Sequence, residues 1–141
     1  MGLKVRDAMA TTIGVASSTD TVTRAAELMR EEGAGFIPVC DGDRLVGVVT
    51  DRDIVVRCIA EGHGDPAAET VEHVITQYPL TIAPDADLDA AAELMGRAQV
   101  RRLAVVDDGR LVGVLSHGNL VQATQGDGAA AQLTLGVTRG A

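Results

Sequence analysis

The sequence predicts an α/β fold (α+β in some schemes) in which one β-α-β-β-α unit is used twice. The first observation behind this is internal repetition. Shifting the chain by 66 positions lays Ala25-Ala26-Glu27-Leu28-Met29 on Ala91-Ala92-Glu93-Leu94-Met95, and Arg44-Leu45-Val46-Gly47-Val48 on Arg110-Leu111-Val112-Gly113-Val114. Residues 25–55 and 91–121 share thirteen identities over thirty-one ungapped positions, where chance gives about three. The second observation is that each copy has a stretch of helical apolar spacing followed by two β-rich runs split by turn residues. The third is size. A unit of roughly 60 residues buries too little apolar area to stand alone, so two copies are expected to pack sheet to sheet about a pseudo-twofold axis.

The elements follow in order. Val5 to Met9 and Val71 to Ile75 read as short helical turns, each followed by a brief extended segment, near Ile13-Gly14-Val15 and at Leu80-Thr81-Ile82. Pro84-Asp85 marks the second entry turn. Val22, Ala25, Ala26, Leu28 and Met29 recur at helical spacing behind the polar starter Thr21, and Leu88, Ala91, Ala92, Leu94 and Met95 behind Asp87. Phe36 to Cys40 and Arg44 to Val49 form a hairpin through Asp41-Gly42-Asp43, and the second copy turns at Asp107-Asp108-Gly109. Last helices start at Thr50, running to about Ala60, and at Ser116, running to about Thr124. Gly62-His63-Gly64-Asp65-Pro66 is the linker. The repeats are therefore set at 1–64 and 65–125, with a tail at 126–141 in which Leu133, Leu135 and Val137 alternate like a short strand.

Composition excludes several functions. The 141 residues are 46% hydrophobic and 23% charged, enough for a core. Twelve Lys and Arg against twenty Asp and Glu give a net charge of −8, which repels nucleic acid and anionic membrane surfaces. The only aromatic residues are Phe36 and Tyr78, too few for base stacking. No apolar run is long enough to span a bilayer, and the acid at Asp7 interrupts any secretory signal. A cytoplasmic protein is expected, with no nucleic-acid or membrane partner. Cys40 and Cys58 lack metal or redox spacing and read as buried free thiols. His63, His73 and His117 are scattered, without the spacing of a metal site or a catalytic triad. With no Walker-type loop either, no enzyme is expected and no catalytic or metal residue is assigned.

The informative segment is Gly47 to Ile54, a buried strand running into a helix. Thr50-x-x-Asp53 fits a capping box, with the hydroxyl accepting from an N3 amide and the carboxylate accepting from the N-cap amide. The same atoms suit a ligand, because a helix N-terminus attracts phosphate and an adjacent carboxylate can accept from ribose hydroxyls. Both readings stand on the residues alone.

Together with Ile37-Pro38-Val39, the Gly-hydrophobic-hydrophobic-Thr-x-x-Asp stretch at Gly47 to Asp53, and Val100 to Asp107, the duplicated order resembles a tandem pair of cystathionine-β-synthase (CBS) domains from about Val5 to Gln125. The Thr-Asp-Arg-Asp-Ile stretch is similar to that of short stand-alone bacterial pairs, including the mycobacterial hypoxic-response type. The resemblance implies a non-enzymatic regulatory module. It would bind an adenosine-containing ligand, AMP, ATP or S-adenosylmethionine, in a cleft between repeats and regulate a further protein. By position it implies that Asp53 holds the ribose and Thr50 a phosphate, with Arg52 nearby. Arg101 and Arg102 would meet phosphates, and Val15, Leu80, Ile82 and Val100 would line the adenine slot. The bland alternatives are a solvated Arg pair and ordinary core aliphatics.

The second copy departs from the pattern. Ser116-His117-Gly118-Asn119 keeps the hydroxyl cap but replaces the carboxylate with an amide, so its site is expected to be weaker or empty. The positions matching the Arg pair in the first copy are Gly35 and Phe36. The intact carboxylate and the basic pair thus come from different repeats, and a composite site needs both. A structural interaction module with ligand-free clefts is the competing reading. A homodimer is expected because Val22-Ala25-Ala26-Met29 and Val55-Val56-Ile59 offer more apolar face than a thin core covers. CBS pairs resemble one another in forming discs of four repeats through such faces.

Overall fold

The structure is a computed structural model that describes residues 2–62 and 64–125. The alternating segment at Leu133 to Val137 and the linker's His63 lie outside the described residues. The elements are α1 (Val5–Ala8), β1 (Ala16–Ser17), α2 (Val22–Glu32), β2 (Phe36–Asp41), β3 (Arg44–Thr50), α3 (Asp51–Asp53), β4 (Thr81–Ile82), α4 (Leu88–Ala98), β5 (Arg102–Asp107), β6 (Arg110–Ser116) and α5 (His117–Ala123). Helix α3 continues as a π-helix over Ile54–Ala60, and Val71–His73 is a 3₁₀ turn.

The chain divides into two compact units. Among the described residues, one holds 13–79 with 109–111, and the other holds 2–12, 80–108 and 112–125. Each unit thus takes its leading helical turn from the opposite sequence repeat, so the repeat boundary at 64/65 is not the boundary of compactness. The hydrogen bonds explain this exchange. Val71 N–H donates to Asp20 O at 2.8 Å and Val22 N–H to Glu69 O at 2.9 Å, which ties the 3₁₀ turn to the entry of α2. The equivalent pair, Val5 N–H to Ala86 O at 3.0 Å and Leu88 N–H to Leu3 O at 2.8 Å, ties α1 to the entry of α4.

In the unit around the first repeat, β1 is parallel to β2 and β2 antiparallel to β3. Strand β1 begins at Ala16 rather than at the expected Ile13 to Val15, because Ala16 and Ser17 are the residues that register with Val39 and Cys40. Residues 109–111 join this unit through the Arg44–Arg110 pair and the bond from Leu45 N–H to Gly109 O at 3.1 Å. Its core contains Ala16, Val22, Ala25, Leu28, Ile37, Val39, Val49, Cys58, Val71 and Val74. Fully burying the Val, Leu and Ile side chains among them contributes about 1.5–3 kcal/mol each. In the other unit the strand order is β6-β5-β4, with β4 and β5 parallel. Its core is built on Val5, Leu88, Ala91, Met95, Leu103, Val105, Leu115 and Leu120.

Two expectations need correction. Val22 and Ala25 are fully buried in their own unit and so give no face to a second chain, whereas Val55 and Ile59 are 58% and 62% exposed. Asp87 sits at the N-cap of α4 but makes no side-chain cap there. Its carboxylate is instead 2.6 Å from Lys4 Nζ, a competing donor that no local pattern reveals. That ion pair also holds the Asp87 carboxyl below the usual carboxylate range. Thr21 caps α2 as expected, accepting from Arg24 N–H at 3.1 Å. Cys40 and Cys58 are buried free thiols, and burial pushes both thiol pKa values up.

Candidate functional site

Strand β3 is buried over Gly47 to Val49 and delivers Thr50 to the start of α3. Gly47 is required there by close approach: a Cβ would lie 2.7 Å from Thr76 O, because residue 76 pairs with Val48 along this edge. Thr50 closes the capping box. Its Oγ1 accepts from Asp53 N–H at 3.1 Å, and Asp53 Oδ2 accepts from Thr50 N–H at 3.0 Å.

Asp53 does more than cap. It is 7% exposed, and an ionised carboxylate at that depth needs compensating partners. The Thr76 hydroxyl lies 3.2 Å from Oδ1 and 3.1 Å from Oδ2, and Arg57 Nε lies 3.6 Å from Oδ1. Arg57 is itself fixed, donating from Nη1 to Ile75 O at 2.7 Å. The result is a buried carboxylate surrounded by an amide, a hydroxyl and a guanidinium. Thr76 and Arg57 were not among the residues singled out from sequence. The signal was present, since the 66-residue shift places Ala10 and Ala123 at their positions, beside Asn119 at that of Asp53.

Arg52 is exposed, and its N–H bonds Asp51 Oδ1 at 2.8 Å. Val15 is also exposed, at 39%, and belongs with Thr50, Arg52 and Asp53 to the unit around the first repeat. Ser116, Asn119, Leu80, Ile82, Val100, Arg101 and Arg102 belong to the other unit. There Ser116 and Asn119 form a capping box of the same build, at 3.0 and 3.1 Å. Leu80 is 48% exposed, whereas Ile82 and Val100 are half-buried against the unit's core. Arg101 is exposed and its carbonyl accepts from His117 N–H at 2.7 Å; Arg102 opens β5, half-buried. No group of three or more His, Cys, Asp or Glu side chains among the described residues could hold a metal ion. No helix among them is long and apolar enough to cross a membrane.

The CBS domain family profile matches residues 5–59 and 71–126. The chain belongs to the CBS domain family. It is 36% identical over 116 residues to CBS domain-containing protein YhcV of Bacillus subtilis, covering 82% of this chain and 81% of that one. It is 34% identical over 118 residues to Hypoxic response protein 1 of Mycobacterium tuberculosis, covering 83% and 82%. A crystal structure of Hypoxic Response Protein I with two coordinated zinc ions superposes with a TM-score of 0.77 at 33% identity, over 85% of this chain and 98% of that one. CBSX2 in complex with AMP superposes with a TM-score of 0.75 at 32% identity, over 86% and 96%. The family and the mixed α/β architecture anticipated from the duplicated motifs are those observed.

Proposed function

We propose that this CBS pair is a non-enzymatic regulatory module that binds an adenosine-containing ligand, AMP, ATP or S-adenosylmethionine, at the Thr50–Asp53 cap. The observation that carries this reading is the Asp53 carboxylate. It is built into a helix N-terminus and flanked by donors, the chemistry that accepts a ribose diol beside a phosphate-friendly helix end. The AMP-bound CBSX2 structure supports the same ligand class. In this reading Thr50 and Arg52 face the phosphate side, Val15 supplies an exposed apolar contact, and Arg101 and Arg102 are phosphate contacts. Leu80, Ile82 and Val100 serve the adenine, and Ser116 and Asn119 form a weaker second site. The exposed Val55 and Ile59 face would be covered in a homodimer, and a cytoplasmic location fits the composition.

A competing reading is a structural interaction module without ligand. It is favoured by the extent to which Asp53 is already satisfied by Thr50, Thr76 and Arg57. Thermal melting with and without millimolar AMP, ATP and S-adenosylmethionine separates the two, because a ligand at 100 times its Kd adds roughly 2.7 kcal/mol. A rise in Tm with any of the three is the expected result; no rise, with no heat in calorimetry, sinks the sensor reading. Arg102→Ala should then weaken AMP more than adenosine, since only the nucleotide offers an ionic partner.

A further inference from the structure

We propose that Arg57 and Thr76 are positioning residues for Asp53, holding its carboxylate in the orientation that accepts the two ribose hydroxyls. This rests on the ligand reading above and adds to it the residues that set discrimination for the ribose. The capping box by itself fixes only one carboxylate oxygen, through Thr50 N–H on Oδ2. The terminal torsion of an Asp side chain is broad, so one contact leaves Oδ1 free to swing. Thr76 removes that freedom, because its hydroxyl sits nearly equidistant from both oxygens. Arg57 adds a cationic partner on Oδ1.

Both supports are anchored by backbone rather than by flexible side chains. Residue 76 exchanges two backbone bonds with Val48, Thr76 N–H to Val48 O at 2.8 Å and Val48 N–H to Thr76 O at 3.1 Å. Arg57 is held by the Ile75 carbonyl next to it. A carboxylate offers about four acceptor positions. The Thr50 amide and the shared Thr76 hydroxyl proton take two of them, and Arg57 Nε at 3.6 Å is an ion-pair partner rather than a hydrogen-bond donor, which leaves two for the ribose hydroxyls.

The second repeat shows that the cap does not need these supports. Ser116 and Asn119 make the same box at the same distances, with Ala10 and Ala123 where the shift would place Thr76 and Arg57. The hydroxyl and the guanidinium therefore accompany the carboxylate, not the cap. They could do so only to compensate a buried charge. That purely structural role would affect stability and leave the discrimination between ribose and deoxyribose alone.

The test uses the full chain and calorimetric titration with adenosine and 2′-deoxyadenosine. Wild type should prefer adenosine. Thr76→Val should weaken adenosine about ten-fold while changing 2′-deoxyadenosine by less than about two-fold. Thr76→Ser should restore most of the preference, and Arg57→Gln, at a half-exposed position that tolerates change, should erode it in the same direction. Melting curves confirm that each variant is folded. If Thr76→Val fails to fold, Arg57→Gln decides in its place. A folded variant whose adenosine preference is unchanged overturns the positioning role alone. A wild type that binds neither nucleoside overturns the ligand reading and this inference with it.

Discussion

The helix caps at Thr50 and Ser116 close the same reciprocal hydrogen bonds, yet six polar or charged positions around them differ in kind between the copies. Asp53, Thr76, Arg57, Gly35, Asp51 and Arg52 in the first copy stand where the second has Asn119, Ala10, Ala123, Arg101, His117 and Gly118. These changes are linked through space. Asp51 N–H donates to Gly35 O at 3.1 Å, as His117 N–H does to Arg101 O. A side chain at position 35 would collide with the Asp51 carboxylate. In the first copy Asp51 thus starts the helix opposite a glycine, whereas in the second Arg101 stands opposite a helix that starts without an acid. One cap collects negative charge with the donors that stabilise it, and the other presents positive charge. The comparison teaches that duplicated local geometry keeps the fold while the chemistry diverges in sets of contacting residues.

The largest expected effect comes from cutting the chain between the copies. Both compact units draw their leading turns from the opposite repeat. Separate expression of 1–64 and 65–141 would remove the Val71–His73 turn from one unit and α1 from the other. The core positions Val71, Val74 and Val5 go with them, all fully buried. Neither half should give a cooperative melt alone, and mixing should restore one. Two independently stable halves would mean that the exchanged turns contribute little, and that the copies are self-sufficient after all.

A smaller effect separates the caps themselves. Asn119→Ala removes a cap bond and should cost about 1 kcal/mol. Asp53→Ala removes the equivalent bond and also strands the Thr76 hydroxyl and Arg57, so it should cost about 1–3 kcal/mol more. Asp53→Asn rebuilds the second copy's cap inside the first and should fall between the two. Chemical denaturation of the three variants checks this ranking. Equal losses for the two alanine variants would show that Asp53 is no more than a cap.

The repeat, the helices, the hairpins and both caps were legible because periodicity, turn chemistry and capping act within a few residues. What escaped was non-local. The diversion of Asp87 to Lys4 joins groups 83 positions apart, and the approach of Thr76 to Asp53 joins groups 23 apart. The exchange of turns depends on backbone pairing that no window of sequence contains. The π-helical run after α3, in which Glu61 N–H reaches Val56 O at 2.9 Å, was likewise read only as a helix. Yet the Asp53 network was half visible, since aligning the copies marks Thr76 and Arg57 as positions that change together with Asp53.

The smallest effect lies in the exchanged turns. The shift of 66 pairs Asp7 in α1 with His73 in the 3₁₀ turn. Asp7 Oδ2 accepts from Lys4 N–H at 2.8 Å and caps its turn. His73 Nδ1 instead meets Glu69 Oε1 at 2.5 Å, and that hydrogen bond and charge push the imidazole pKa up. Its partner surroundings also include the Thr70 hydroxyl and Glu72. A group whose folded pKa is raised contributes stability that is fully present below its unfolded value, about 6.5, and lost as pH rises through the folded value. The side chain is 60% exposed, so solvent and salt screen the pair. Melting at about pH 6 and about pH 8.5 should therefore show a small loss of Tm at the higher pH that His73→Gln abolishes and added salt diminishes. Asp7→Asn should leave that pH difference in place, which assigns it to the turn supplied by the second repeat. A pH dependence that survives His73→Gln unchanged would place the titrating group elsewhere and remove this contrast between the turns.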